Sequence, residues 1–388
     1  MRSRILLVAG ARPNYMKIAP IYWAIRENPS LPFTVDLVHT GQHYDEAMSG
    51  NFFRDLDLPE PSINLGVGSG SHALQTAKVM VAFEGVLLEK RPDIVVVVGD
   101  VNSTAACALV TSKMRLDGDA RLGRPVLAHV EAGLRSRDRS MPEEVNRVVT
   151  DAVSDLLFTT CRDADENLLA EGIAREQIHF VGNPMIDSLR RCLAAAEQSG
   201  FLDRLGLDGS PFGLCTLHRP SNVDVPEVLE GLLETLAEIA VDMPLLLPLH
   251  PRTRRRIEQF GLEERIADVR RPMGRRPPRG VLGLEPLSYL EMLQALRAAQ
   301  FVLTDSGGVQ EETTALGVPC VTLRANTERP VTILQGTNVL AGLGRREILD
   351  GLQAARRKVA QGACIPALWD GRAGERIVAA LAQPVGGQ

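Results

Sequence analysis

The sequence predicts an α/β protein of two domains, each built around an open parallel sheet. Three observations lead to this prediction. The chain has 388 residues, which exceeds what one hydrophobic core usually organises. Short apolar runs alternate with amphipathic stretches, the pattern of repeated βα units. The alternation begins again after about residue 182, so we place an N-terminal domain at 1–182 and a C-terminal domain at 183–367.

Apolar runs in the first half predict the strands of the first sheet. One of them, Ile94–Val98, consists of an isoleucine and valines, as suits a central parallel strand that is covered on both faces. Helical patterns cover about 17–27 and 73–90. The predicted strands are Ile5–Val8, Val35–Val38, Ile94–Val98, Pro125–His129 and Leu156–Thr159.

The second half repeats the pattern, with further strands separated by helical stretches. A polar loop is predicted at 116–125. The last helical stretch, about 368–388, is expected to pack back on the N-terminal domain, by analogy with similar two-domain folds. The predicted strands are Leu214–Leu217, Leu245–Leu247, Val281–Leu282, Phe301–Thr304 and Cys320–Leu323.

The composition is that of a globular protein, with 45% hydrophobic and 23% charged residues. The net charge of -5 gives no general attraction to nucleic acid or to anionic membranes. No apolar run approaches the roughly 18 residues of a membrane span, and the apolar start lacks the features of a signal peptide. The six cysteines have no metal-ligand spacing, so we predict buried free thiols in a reducing, cytoplasmic compartment and no metal.

Polar side chains that could carry chemistry follow the predicted strands, and ligands of open α/β sheets bind at that edge. In the first half these include Asp100 and Glu131, while Glu143 and Glu144 begin a predicted helix. Carboxylates that share a pocket repel each other, so at least one keeps its proton and an acid–base pair results. The structural alternative for each acid is a salt bridge or a helix cap.

In the second half, a predicted strand leads into Ser306, Gly307 and Gly308 and then into a helix. This arrangement predicts a phosphate cradle, because glycines let the backbone approach a ligand and the helix start offers free N–H groups. An ordinary turn is the alternative. Arg329 could add a cation, and Glu312 could reach ribose hydroxyls. No Walker A sequence is present and no GxGxxG follows the first strand, which disfavours ATP and nicotinamide cofactors.

Taken in order, the segments that carry these residues resemble the non-hydrolysing UDP-N-acetylglucosamine 2-epimerases over essentially the whole chain. A single segment would be weak evidence, whereas this many in the right order are specific. The matching segments are Gly10–Pro20, Thr40–His43, Val98–Thr104, His129–Ser136, Met141–Arg147, Val181–Asp187, Leu217–Pro220, Thr304–Glu312 and Asn326–Pro330.

The resemblance implies the GT-B type of fold, two Rossmann-like domains with the nucleotide-sugar site in the cleft between them. It implies inversion at C2 of UDP-N-acetylglucosamine to UDP-N-acetylmannosamine, through elimination of UDP to 2-acetamidoglucal and re-addition. It also implies a homodimer and no cofactor. The arginine-rich segment 270–279 is predicted as a solvated loop, with a place near the nucleotide as the alternative.

The resemblance also assigns residue roles. Many bacterial members have an allosteric site, to which Gln42, Arg219 and His250 would correspond. Ser71 stands where many of those members have glutamine, so substrate activation stays open. The implied catalytic residues are Asp100, Glu131, Glu143, His218 and Lys17, and the implied UDP-sugar ligands are Arg12, Lys17, His218, Ser306, Gly307, Gly308, Glu312 and Arg329.

Several alternative functions stay open at this stage. The substrate of a 2-epimerase could be another UDP sugar, such as UDP-2,3-diacetamido-glucuronate. A hydrolysing 2-epimerase would release free N-acetylmannosamine. A GT-B glycosyltransferase would share the fold and the phosphate cradle but would need one dominant base and an acceptor groove. A non-catalytic nucleotide-sugar sensor would not need all three acids.

Overall fold

A computed structural model describes residues 2–41, 53–115, 123–268 and 279–383. The chain divides into two compact units. One holds the chain up to Arg190 and again from Ala367, and the other holds Arg191–Pro366. Gln42 and most of the predicted loops 116–125 and 270–279 lie outside the described residues.

The described residues of the first unit form a parallel sheet of seven strands, in the order β3-β2-β1-β4-β5-β6-β7. All five predicted strands are present. Strand β4 lies at the centre and is buried along its whole length, as its β-branched sequence predicts. The sequence analysis missed β3 and β7, the two short strands at the edges of this sheet. The strands are β1 Ser3–Ala9, β2 Phe33–His39, β3 Ile63–Asn64, β4 Ile94–Val98, β5 Val126–Ala132, β6 Leu156–Thr159 and β7 Ile178–Phe180.

Helices connect these strands, and the first begins earlier than predicted. Helix α1 starts at Arg12 rather than near residue 17, with Pro13 in its first turn, where a missing N–H costs nothing. The side chain of Asn14 accepts hydrogen bonds from the N–H groups of Gly10 and Ala11 and so closes the turn after β1. The helices are α1 Arg12–Arg26, α2 His72–Lys90, α3 Asn102–Lys113, α4 Pro142–Val153, α5 Arg162–Ala170 and α6 Pro184–Glu197.

The described part of the second unit is again a parallel sheet of seven strands, in the order β10-β11-β9-β8-β12-β13-β14. The five predicted strands are present, and the short strands β10 and β14 were not predicted. The strands are β8 Gly213–Thr216, β9 Leu245–Pro248, β10 Ala267–Asp268, β11 Val281–Leu284, β12 Val302–Thr304, β13 Cys320–Thr322 and β14 Asn338–Leu340.

Helices also cover the second sheet. Strands β8 and β12 are neighbours in it although other strands separate them along the chain, so a crossover brings their carboxyl ends together. The helices are α7 Phe201–Arg204, α8 Pro220–Val223, α9 Pro226–Ile239, α10 Pro251–Phe260, α11 Tyr289–Ala298, α12 Gly307–Leu316, α13 Pro330–Leu334 and α14 Arg345–Ala360.

The last helix, α15 (Ala373–Leu381), belongs to the first unit and packs on α1. A Cβ atom at Gly374 would lie 2.5 Å from the carbonyl oxygen of Pro20, so only glycine permits this close approach. The N–H of Gly374 donates to Asp187 at 2.8 Å. Just before the helix, the buried indole of Trp369 donates to the carbonyl of Thr160 at 2.9 Å.

Two parallel sheets covered by helices confirm the predicted fold class, two Rossmann-like α/β domains of the GT-B type. The six cysteines are free, and five are buried, but Cys364 is exposed, contrary to the prediction of buried thiols. Across the described ranges, no helix has the length and apolar character needed to cross a membrane. In the same ranges, no group of His, Cys, Asp and Glu side chains is arranged to hold a metal ion.

Candidate active site

In the first unit, strands β1, β4 and β5 are neighbours, so the segments that follow them meet at one edge of the sheet. The ammonium group of Lys17, from α1, forms an ion pair with the carboxylate of Glu131, and both side chains are about 5% exposed. Gly99, after β4, has a φ of +67°, and a Cβ atom there would lie 2.8 Å from the Lys17 Nζ. Glycine at position 99 therefore leaves the space that the buried pair occupies.

Glu131 was predicted to follow its strand, but it lies within β5. Its φ is +69°, a left-handed conformation that is uncommon for a residue with a side chain. The register of β5 against β6 shifts between Val130 and Ala132, which is the mark of a β-bulge. Bulges re-aim side chains and are frequent beside active sites, so the conformation of Glu131 supports a functional role.

Asp100 lies next to the same edge and contacts helix α4. Its carboxylate accepts a hydrogen bond from Arg147, and its backbone carbonyl accepts one from Asn146 at 2.9 Å. The Asp100 side chain is 22% exposed, whereas that of Arg147 is 3% exposed. The buried guanidinium therefore holds a carboxyl group that a ligand can still reach.

Glu143 and Glu144 lie in the first turn of α4 but differ in burial. Glu144 is buried, where it accepts hydrogen bonds from the N–H groups of Ser136 and Arg137 and pairs with Arg147 at 2.9 Å. Burial alone would raise the pKa of Glu144, but these donors hold it below its usual range. Glu144 is thus a structural carboxylate. Glu143 is half-buried and lies one helical turn before Arg147, on the same helix face.

In the second unit, His218 follows β8 and Asp305 follows the neighbouring strand β12. Asp305 is fully buried and accepts hydrogen bonds at 2.9 Å from the N–H groups of His218 and Arg219. It also lies 2.8 Å from the Nδ1 of His218. Burial by itself raises the pKa of Asp305, but these contacts lower it, so the carboxylate is ionised. Nδ1 of His218 therefore carries a proton. The His218 side chain as a whole is 38% exposed.

The predicted phosphate cradle begins helix α12. Ser306 precedes the helix, and its side chain makes no capping hydrogen bond. Gly307 and Gly308 form the start of the first turn. The guanidinium of Arg329 lies against Gly307 and pairs with the buried carboxylates of Glu311, at 3.0 Å, and Glu328. The structure therefore brings a cation to the positive end of a helix, as the predicted phosphate cradle requires.

Two further arginines approach the carboxylate of Glu328. Arg324 lies 2.8 Å from Glu328, and the Arg219 guanidinium lies 3.7 Å from Glu328. The sequence analysis did not single out Arg324, although it stands only five residues before Arg329. The nearby Asp305 was quoted only as part of the cradle segment, and its contact with His218 was missed.

Replacing Gly307 by Ala should weaken UDP binding at least tenfold. The new Cβ would lie 2.3 Å from the Arg329 Nη1, so the guanidinium or the helix start must move away from the proposed anion site. Calorimetric titration with UDP measures the effect. Gly231→Ala is the matched control, since a Cβ there, in α9, meets nothing within 4 Å. Equal affinity of Gly307→Ala and the native protein would contradict an anion site at this helix start.

Glu312 is buried one and a half turns into α12. Burial, together with the neighbouring charge of Glu311, raises its pKa to about 8, although a hydrogen bond with Tyr289 acts in the opposite direction. The carboxyl group is therefore largely protonated at neutral pH. The sequence analysis had treated it as a carboxylate that faces ribose hydroxyls, and its protonation was not predicted.

The remaining predicted residues are placed as follows. The imidazole of His250 accepts a hydrogen bond from the N–H of Arg252 at the start of α10, and its ring centroid lies 5.8 Å from that of His218. The N–H groups of Arg219 and His218 both donate to Asp305. Ser71 caps α2 by accepting a hydrogen bond from Leu74 at 3.3 Å. Arg12 begins α1, but its side chain lies outside the described atoms, and Gln42 lies outside the described residues.

Comparisons with known proteins agree with these motifs. Residues 24–382 match the family model described as UDP-N-acetylglucosamine 2-epimerase. The UDP-N-acetylglucosamine 2-epimerase of Methanocaldococcus jannaschii is 40% identical over 389 residues, which cover 97% of this chain and 98% of that protein. A UDP-2,3-diacetamido-2,3-dideoxy-D-glucuronate 2-epimerase of Pseudomonas aeruginosa is 39% identical over 361 residues, 92% of this chain and 94% of that protein.

The fold comparison gives the same result. The crystal structure of the M. jannaschii UDP-GlcNAc 2-epimerase, in complex with UDP-GlcNAc and UDP, matches with a TM-score of 0.84 and 39% identity. The match covers 97% of this chain and 99% of that chain. The family predicted from the motifs is confirmed, and the chain belongs to the UDP-N-acetylglucosamine 2-epimerase family.

Proposed function

We propose that this protein interconverts UDP-N-acetylglucosamine and UDP-N-acetylmannosamine by inversion at C2, without hydrolysis. The observation that carries the proposal is the meeting of Asp100 and the Lys17–Glu131 pair at one sheet edge of the first unit. In the second unit, His218 and Arg329 accompany the free start of a helix. One unit thus offers acid–base groups, and the other offers groups that stabilise an anion.

The chemistry requires both kinds of group. The proton on C2 of the sugar is not acidic, because no carbonyl group adjoins it. If the bond from C1 to UDP breaks first or at the same time, C1 gains positive character and the C2 proton becomes labile. Elimination then gives UDP and 2-acetamidoglucal, and re-addition with protonation on the other face inverts C2.

The residues fit these steps. His218, Arg329 and the N–H groups that begin α12 would stabilise the negative charge on the departing UDP. Asp100, Glu131 and Glu143 would move the C2 proton, and the ammonium group of Lys17 would hold Glu131 in place. All of these groups belong to the protein itself, and the proposal includes no cofactor.

Proton NMR of the protein with UDP-N-acetylglucosamine in deuterated water tests the proposal. The expected result is a UDP-N-acetylmannosamine signal with deuterium at C2, since the C2–H bond is broken and remade from solvent. Free N-acetylmannosamine with UDP would instead show a hydrolysing enzyme. Absence of any reaction would contradict the proposed substrate.

One alternative substrate has a specific observation in its favour. The P. aeruginosa relative named for UDP-2,3-diacetamido-2,3-dideoxy-D-glucuronate is 39% identical, close to the 40% of the M. jannaschii protein. The same NMR assay with both UDP sugars compares them directly. A much larger kcat/KM for the diacetamido-glucuronate would replace the proposed substrate and leave the proposed chemistry at C2 unchanged.

We also propose that the protein is a homodimer that uses helix α2. Leu74, Val81 and Leu88 are 51%, 75% and 58% exposed and recur every seventh residue along this helix. If two copies of α2 pair antiparallel about a two-fold axis at Val81, Leu74 faces the partner's Leu88. Lys78 then faces the partner's Glu84. The apolar stripe and its flanking charges are thus self-complementary, as a two-fold interface requires.

Replacing Val81 by Asp should weaken this dimer about 100-fold, because two carboxylates would meet at the two-fold axis. Light scattering after size exclusion measures the mass across a dilution series. Val241→Asp introduces the same change at another exposed valine, 68% exposed in the second unit, and should leave the mass unchanged. A Val81→Asp protein as dimeric as the native one would contradict the proposed interface.

A further inference from the structure

His129 is fully buried in β5, next but one to Glu131, and the proposed chemistry does not use it directly. Its Nε2 lies 2.8 Å from the carbonyl oxygen of Gly99, and its Nδ1 lies 2.6 Å from a carboxylate oxygen of Asp151 on α4. A carbonyl oxygen can only accept a hydrogen bond, so Nε2 must carry a proton. The protonation of Nδ1 then depends on the state of Asp151.

The surroundings of Asp151 favour its ionised form. Its second oxygen lies 2.7 Å from the Arg135 guanidinium and accepts a hydrogen bond from the N–H of Gly133 at 3.1 Å. Burial alone would raise the pKa of Asp151, but His129 and Arg135 together lower it. A carboxylate also only accepts, so Nδ1 of His129 must donate to it. The imidazole therefore carries protons on both nitrogens and is a cation.

The charge on this imidazolium is balanced within a short chain of ion-paired side chains. Arg135 is 2% exposed and contacts both Asp151 and Glu171, with its Nε 2.9 Å and its Nη2 2.7 Å from the two oxygens of Glu171. Positive and negative groups thus alternate from His129 to Glu171, which is 32% exposed. Such a chain is stable only when every member is paired, so the loss of one charge disturbs the rest.

These ion-paired side chains connect the segments that carry all three proposed acids. The Gly99 carbonyl held by His129 belongs to the residue just before Asp100. Asp151 also binds the N–H of Gly133, two residues after Glu131, and lies two turns after Glu143 on α4. Glu131 has a left-handed backbone conformation, which persists in a residue with a side chain only where surrounding contacts fix it.

We propose that His129 is a positioning residue for the epimerisation, a doubly protonated imidazole that fixes the Asp100 and Glu131 segments against helix α4. It acts through the Gly99 carbonyl and through Asp151 and does not touch the substrate. This inference rests on the proposed function for its effect on turnover, but the charge state of His129 is independent of any activity.

Nitrogen NMR of the histidine side chains tests the charge state in the intact protein. His129→Gln identifies the His129 signals among those of the seven histidines. Both ring nitrogens should be of the protonated type at pH 7. Asp151→Asn should convert the ring to a neutral form, because an amide no longer favours the cation. An unprotonated Nδ1 in the native protein at pH 7 would overturn the proposal, whatever the protein catalyses.

Kinetics tests the positioning role. His129→Gln should lower kcat about 100-fold with little change in UDP affinity, since a small misplacement of reacting groups has effects of this size. His179→Gln, a change of the same kind on strand β7 of the same sheet, is the matched control and should keep its kcat. A melting temperature for each variant shows that it is folded. Native kcat in a folded His129→Gln protein would overturn the positioning role. An inactive native protein would contradict the proposed function and leave the NMR result to decide the charge state.

Discussion

Replacing Asp100 by Asn should lower kcat for epimerisation about 1000-fold and leave the affinity for UDP unchanged. Asn keeps the size and shape of the side chain but cannot take up or release a proton at C2, and loss of a general base has effects of this order. Arg147 would keep its pairing with Glu144, so the local fold should survive. Asp100 is 22% exposed beside the buried Arg147, so a ligand can reach its carboxyl group.

The measurement combines turnover, deuterium incorporation at C2 and UDP titration on the same sample. Asp57→Asn is the matched control, since Asp57 is 61% exposed and has a φ of 45°, a conformation that Asn tolerates well. It should behave as the native protein does. Unchanged deuterium incorporation in Asp100→Asn would exclude this carboxylate from proton transfer. A loss of UDP affinity as large as the loss of turnover would point to misfolding or to a binding role.

The strands that the sequence predicted share a clear signal. Ile94–Val98 is buried on both faces, as its uninterrupted apolar run predicts. The strands β3 and β14, which were not predicted, are short and lie at sheet edges, and they form because a neighbouring strand offers backbone partners. Local sequence therefore predicts the centre of each sheet well and its edges poorly.

The candidate site was predictable only to the level of residue types at strand ends. Arg147 and Asp100 are 47 residues apart, and their contact depends on how α4 packs. His218 and Asp305 are 87 residues apart and meet because β8 and β12 are neighbours after a crossover. No local pattern encodes such pairs. The left-handed conformation of Glu131 was likewise invisible, since Glu ordinarily avoids it.

The protonation of Glu312 was also not predictable from the local sequence, and it should have a large effect on the stability of the protein. Between pH 5 and pH 8, the native protein should lose stability relative to Glu312→Gln by about 1 kcal/mol for each pH unit. Burial raises the pKa of Glu312 to about 8, so the folded protein holds a proton that the unfolded chain releases near its ordinary value. The stabilisation is complete below that ordinary pKa and is lost as the pH rises towards 8. Calorimetric unfolding of both proteins across this range measures the difference.

The variant isolates this carboxyl group because Gln keeps a neutral side chain of the same shape beside Tyr289. Glu264→Gln, an exposed change in the same unit, is the control and should follow the native pH dependence throughout. If Glu312→Gln and the native protein kept a constant difference from pH 5 to pH 8, the carboxyl group would be ionised in the folded state. Glu311 is the neighbouring charge whose repulsion contributes to the shift.

The pH dependence of UDP binding tests how Glu312 would hold a nucleotide. A ribose hydroxyl that donates to Glu312 gains most from the ionised carboxylate, so UDP binding would expel the proton. A phosphate group with a second pKa of about 6 is already ionised at pH 7. UDP should then bind to the native protein several-fold more tightly at pH 8 than at pH 7. Glu312→Gln should bind weakly and equally at both values. A native affinity that does not change over this interval would mean that Glu312 stays protonated and supports the site from within the helix, without accepting from the ribose.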